Sequence, residues 1–121
     1  MPFLPRIAGL VVSHAAWRAT GSRAAGQVLV RALGSPDEGV RAAAGMLLER
    51  GGRRAEPLLV QAAERRENLP EVLVILGDLG DTAAAPLLER FSSDADPEVS
   101  RAARDALRIL NSRGSAAPAR R

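Results

Sequence analysis

The chain repeats itself. Shifted by 29 residues, Leu47, Gly51, Pro57, Leu58 and Leu59 fall on Leu76, Gly80, Pro86, Leu87 and Leu88 without a gap. Shifted by 59, the run Asp37-Glu38-Gly39-Val40-Arg41-Ala42-Ala43-Ala44 falls on Asp96-Pro97-Glu98-Val99-Ser100-Arg101-Ala102-Ala103. A period of about thirty residues is that of a helical hairpin, a unit too small to bury its apolar face alone, which must stack on its neighbours. This constrains the fold more than any other feature.

Apolar residues inside each unit recur at helical spacing and turn residues punctuate them. Val28, Leu29, Ala32 and Leu33 mark a leading helix, and Val40, Ala43, Ala44, Leu47 and Leu48 a trailing one. The second unit offers Leu58, Leu59, Ala62 and Ala63, then Leu69, Val72, Leu73, Ile75, Leu76 and Leu79. The third offers Leu87, Leu88 and Phe91, then Val99, Ala102, Ala103, Ala106, Leu107 and Leu110. Helices are expected near 24–33, 36–50, 55–66, 69–79, 83–92 and 97–110. Ser35 reads as the cap of the second, with Pro36 at its first position and Glu38 reaching back; Asp96 and Asn68 read as caps of later helices. Gly34, Gly51, Gly52 and Gly80 supply the stops.

Residues 3–19 carry Phe3, Leu4, Ile7, Leu10, Val11, Ala15 and Trp17, one more amphipathic segment. A stack of repeats exposes the apolar flank of its first unit, and an atypical helix covers it. Residues 112–121 lack periodicity and read as a disordered tail. The expected organisation is thus one domain over 1–111: a cap at 3–19, repeats at 24–50, 55–79 and 83–110, and no room for a second independent core.

The motifs Asp-x-x-Val-Arg-x-Ala-Ala at 37–44, Asp-Pro-Glu-Val with Arg-Ala-Ala at 96–103, and Leu-Gly-Asp-Leu-Gly-Asp with Ala-Ala-Pro-Leu-Leu at 76–88 resemble short bacterial HEAT-type repeats. The type is the one described in phycobiliprotein lyases. The resemblance covers about residues 24–110 and implies an all-α, short right-handed α-solenoid of HEAT-like, armadillo-type hairpins, about three of them behind the capping helix. It implies a scaffold or protein-binding role in the cytoplasm, and leaves a role as accessory to a chromophore-lyase-like enzyme open. Pro70 stands where Arg41 stands in the first unit and interrupts the family's charged ladder.

The 17 basic residues are all Arg. Residues 1–36 hold four Arg and no acid, residues 106–121 four more and no acid, and the stretch between them holds all 14 Asp and Glu against nine Arg. The net charge of +3 therefore divides into basic ends and an acidic middle. This leaves weak, sequence-independent nucleic-acid binding through Arg6, Arg18, Arg23 and the C-terminal arginines as an alternative function. Its predicted signature is an affinity that falls steeply with salt.

There is no Cys, one His, no Tyr, one Trp and two Phe. Disulfides, thiolate metal sites and thiol nucleophiles are excluded, and base-stacking aromatics are few. The apolar run Ile7 to Val12 is far short of the roughly 20 residues that span a bilayer, so no membrane span is expected. His14 has neither Cys nor a second His to complete a metal site and reads as a structural residue of the cap. Asp78 and Asp81, and Asp94 and Asp96, sit at expected helix ends where capping accounts for them. No catalytic residue, metal ligand or cofactor-binding residue is expected, and the chain reads as a non-enzyme.

In a solenoid of this type the trailing helices line the concave face. Stacking their outward positions by the two register shifts gives three rungs: Arg41, Pro70 and Ser100; Gly45, Val74 and Arg104; Glu49, Asp78 and Arg108. The candidate partner-binding strip is therefore Arg41, Gly45, Glu49, Val74, Asp78, Arg104 and Arg108, on which a peptide or helix could lie with its acids near Arg104 and Arg108. A solvated helix face with local ion pairs is the competing reading. Three repeats are near the minimum for stability, which favours a protein partner or self-association.

Overall fold

The computed structural model describes residues 3–20 and 23–116, and among these every regular element is helical. Seven α-helices follow one another: α1 Phe3–Thr20, α2 Arg23–Ala32, α3 Glu38–Gly51, α4 Ala55–Glu64, α5 Leu69–Leu79, α6 Ala85–Phe91 and α7 Pro97–Ala116. Single 3₁₀ turns at Gly52–Arg54 and Thr82–Ala84 lead into α4 and α6. The chain divides into two compact units, Met1–Asn68 and Leu69–Arg121. The division runs between α4 and α5, inside the second hairpin of the sequence repeat.

In the first unit α1 packs on α2 and α3, and α4 packs on both of those. Leu29, Leu48 and Leu59 are wholly buried, each stabilising the fold by roughly 1.5–3 kcal/mol relative to exposure. Trp17 of α1 is 3% exposed. Its indole is seated against two glycines. A Cβ on Gly51 would stand 2.6 Å from Trp17 Cζ3, and one on Gly26 would stand 3.3 Å from Trp17 Cδ1. The cap thus closes on α2 and α3 where side chains are missing. Leu10 shares the buried face, whereas Val11 is 50% exposed, because a helix turns adjacent positions through about 100°.

The connection from α2 to α3 corrects the expected cap. Asp37, not Ser35, is the N-cap of α3, with extended backbone and Oδ1 accepting from the Val40 amide at 3.2 Å. Ser35 lies two residues outside the helix, and its Oγ accepts from the Asp37 amide at 3.1 Å. Helix α3 ends at Gly51; its C-cap Gly52 donates its amide to the Glu49 carbonyl and turns the chain out of the helix at a φ of 57°, a conformation that favours Gly. At the end of the unit Arg66 and Asn68 both have positive φ, 58° and 47°. Asn68 therefore does not take the extended backbone of an N-cap. Its Nδ2 donates to the Val30 carbonyl at 3.1 Å and anchors the segment after α4 to α2.

In the second unit α7 is the centre, packed on by α5 and α6. Leu73, Leu76, Leu88 and Leu110 are wholly buried. Asp96 caps α7 as expected, its Oδ1 accepting from the Glu98 amide at 2.9 Å, and Asp94 accepts from the Asp96 amide at 3.0 Å. Asp81 likewise accepts from the Ala83 amide at 2.9 Å. The tail expected from 112 is corrected at its start. Helix α7 continues through Ala116, since no Pro interrupts it before Pro118 and a lone Gly at 114 costs only about 1 kcal/mol in a helix. Residues 117–121 lie outside the described residues.

Candidate functional site

The seven strip residues lie on three helices. Arg41, Gly45 and Glu49 succeed one another at one-turn intervals on α3 of the first unit, and this spacing puts them on one helix face. Val74 and Asp78 do the same on α5 of the second unit, and Arg104 and Arg108 on α7.

On α3, Glu49 is exposed while Gly45 and Arg41 are half-buried. Arg41 is engaged in the fold: its Nη1 donates to the Ser35 carbonyl at 2.7 Å and ties the α2–α3 connection to the first turn of α3. On α5, Val74 is 41% exposed although its neighbours Val72, Leu73, Ile75 and Leu76 are buried. A β-branched apolar side chain is thereby presented to solvent, with Asp78 half-buried one turn on.

On α7, Arg104 and Arg108 are exposed. Arg104 Nη2 donates to Ser100 Oγ at 3.0 Å, and Arg108 Nη2 pairs with Asp105 Oδ1 at 2.9 Å. The placement of Ser100 on the outward first rung is corrected. Ser100 is 5% exposed, and its hydroxyl donates to the Pro97 carbonyl at 3.2 Å. Inside a helix a hydroxyl that bonds back to the preceding turn can be buried without an unsatisfied group. The arrangement offers one apolar contact and two guanidinium groups in the second unit.

His14 lies half-buried on α1, with its ring edge-on to Trp17 at a centroid distance of 5.9 Å. Burial lowers its pKa from the ordinary 6.5, and the charges of Arg18 and Arg50 lower it further, against a hydrogen bond to the Leu47 backbone that raises it. Its Nε2 is buried with no hydrogen-bond partner. The ring thus packs as part of the cap, beside Trp17. Among the described residues no group of three or more His, Cys, Asp or Glu is placed to hold a metal ion, and no helix is long and apolar enough to cross a membrane.

A surface that the sequence reading did not assemble lies in the first unit. Arg23, Gln27 and Arg31 of α2 and Gln61 and Arg65 at the end of α4 line one cleft of about 420 Å³, together with Glu67. Arg65 falls in the acidic middle of the chain. The signal available was the four-residue spacing of 23, 27 and 31 and of 61 and 65, which puts each set on one helix face.

A model of HEAT repeats matches residues 26–108, and the chain belongs to that family. No curated protein and no solved structure matches it. HEAT repeats are helical hairpins that stack as a solenoid and generally mediate protein–protein interaction.

Proposed function

We propose that the chain is a non-catalytic scaffold or adaptor, acting in the cytoplasm, that binds a protein partner through outward residues of its trailing helices: Arg41, Gly45 and Glu49 in the first unit and Val74, Asp78, Arg104 and Arg108 in the second. The observation that carries the reading is the HEAT-repeat match across residues 26–108. Exposed Val74 supports it further, because an apolar side chain left outside a buried run, with arginines available nearby in sequence register, suits a partner that brings both an apolar anchor and carboxylates. Arg41 serves as a positioning residue in this reading, since its guanidinium is held by the Ser35 carbonyl.

The test is capture of binding proteins with wild type and with the Val74→Asp/Arg104→Glu double variant, each identified by mass spectrometry. Proteins retained by wild type and lost from the double variant support the strip. An unchanged set of retained proteins overturns it.

A further inference from the structure

The first 68 residues hold ten Arg against six Asp and Glu, and the α2–α4 cleft gathers three of those arginines on one surface. We infer that this cleft binds a short, carboxylate-rich peptide segment of a partner protein. Arg23, Arg31 and Arg65 are exposed, and guanidinium groups pair with carboxylates in the two-pronged geometry that Lys cannot reproduce.

Two further groups select a peptide over another anion. Gln27 and Gln61 line the same cleft, and a primary amide both donates and accepts, matching a peptide backbone that does both. A phosphodiester backbone only accepts and would leave the amide oxygens unused. Glu67 also lines the cleft, and its Oε1 is buried with no hydrogen-bond partner. Its charge repels carboxylates and phosphates alike, so a bound acidic segment sets its carboxylates against Arg23, Arg31 and Arg65 and away from Glu67. The lining residues include no aromatic ring on which a base could stack. The cleft contains none of the strip residues assigned above, so the two surfaces fail or stand separately.

The test is fluorescence anisotropy on the full chain with three labelled probes: a ten-residue peptide rich in Asp and Glu, its Asn/Gln counterpart, and a ten-nucleotide oligothymidine. The acidic peptide should bind tightest, and its affinity should fall at least tenfold in Arg31→Glu/Arg65→Glu. The gentler Arg31→Gln/Arg65→Gln should show the same direction should the charge reversal disturb folding. Gln27→Ala/Gln61→Ala should weaken the peptide severalfold and leave any oligothymidine binding unchanged, while Arg101→Glu, a charge reversal at an exposed arginine outside both surfaces, should leave the peptide unaffected. Tighter binding of oligothymidine, equal binding of the uncharged peptide, no peptide binding, or affinity unmoved by the cleft variants overturns the inference.

Discussion

Gly77 of α5 faces the backbone of α7 so closely that a Cβ on it would stand 2.7 Å from Ala106 Cα and 2.9 Å from the Ala106 carbonyl oxygen. The contact fixes how near the two helices come, and it lies between the outward residues Val74 and Asp78 in register. Backbone cannot yield as a flexible side chain does. Gly77→Ala should therefore destabilise the fold by about 1–3 kcal/mol through overpacking, despite the better helix propensity of Ala. Gly9→Ala on α1 meets nothing within 4 Å and should stabilise by up to about 1 kcal/mol. Urea unfolding of both variants checks the opposite signs.

Asn68 combines a left-handed backbone with a side-chain bond to the Val30 carbonyl. Replacing it with Gly keeps the backbone relaxed and removes only the bond, a loss of about 1 kcal/mol. Replacing it with Ala adds the left-handed penalty of roughly 1–2 kcal/mol. Asn68→Ala should thus unfold at lower denaturant than Asn68→Gly; equal midpoints would show that the backbone at 68 is unstrained.

Asp37 and Ser35 divide the work of starting α3. Asp37→Ala removes the cap of the helix and should cost about 1 kcal/mol, whereas Arg41→Ala removes the guanidinium bond to the Ser35 carbonyl and should cost about 1–2 kcal/mol. Arg108→Ala should change stability by less than about 0.5 kcal/mol, because its i,i+3 partner Asp105 meets it in solvent. Thermal melts of the three variants separate the fold-engaged arginine of the strip from a solvent-facing one.

His14 gives stability a pH dependence. Its pKa in the folded chain is lowered, by burial first and then by Arg18 and Arg50, so below the ordinary value of 6.5 the unfolded chain binds the proton more readily. Stability is then fully present above that value and falls as the pH drops through it toward the lower folded pKa. His14→Gln should flatten this part of the profile. The measurement is denaturant unfolding of both proteins at pH 7.5 and pH 5.5, and an equal drop in the two would remove His14 as the cause.

Much of the fold was legible because Ala and Leu recur at helical spacing and Gly and Pro stand at the breaks. The helix at 69–79 agrees with its expected bounds, and Leu29, Leu48, Leu59, Leu76 and Leu110 are buried as their periodicity demanded. Less legible were features that depend on where a side chain bonds. Ser35 and Asp37 are both good caps by type, and only backbone conformation decides between them. Ser100 looked outward by register yet turns its hydroxyl onto the preceding turn. The α2–α4 cleft is not visible in the charge along the chain, because it joins Arg23 and Arg31 of the basic start to Arg65 of the acidic middle.

The role proposed for this HEAT-repeat chain is recognition of a protein partner through the strip. Titration calorimetry of a captured partner against wild type and Val74→Asp/Arg104→Glu tests it most directly. The affinity should fall at least tenfold in the double variant with an unchanged melting temperature. Equal affinity in the two proteins would contradict it.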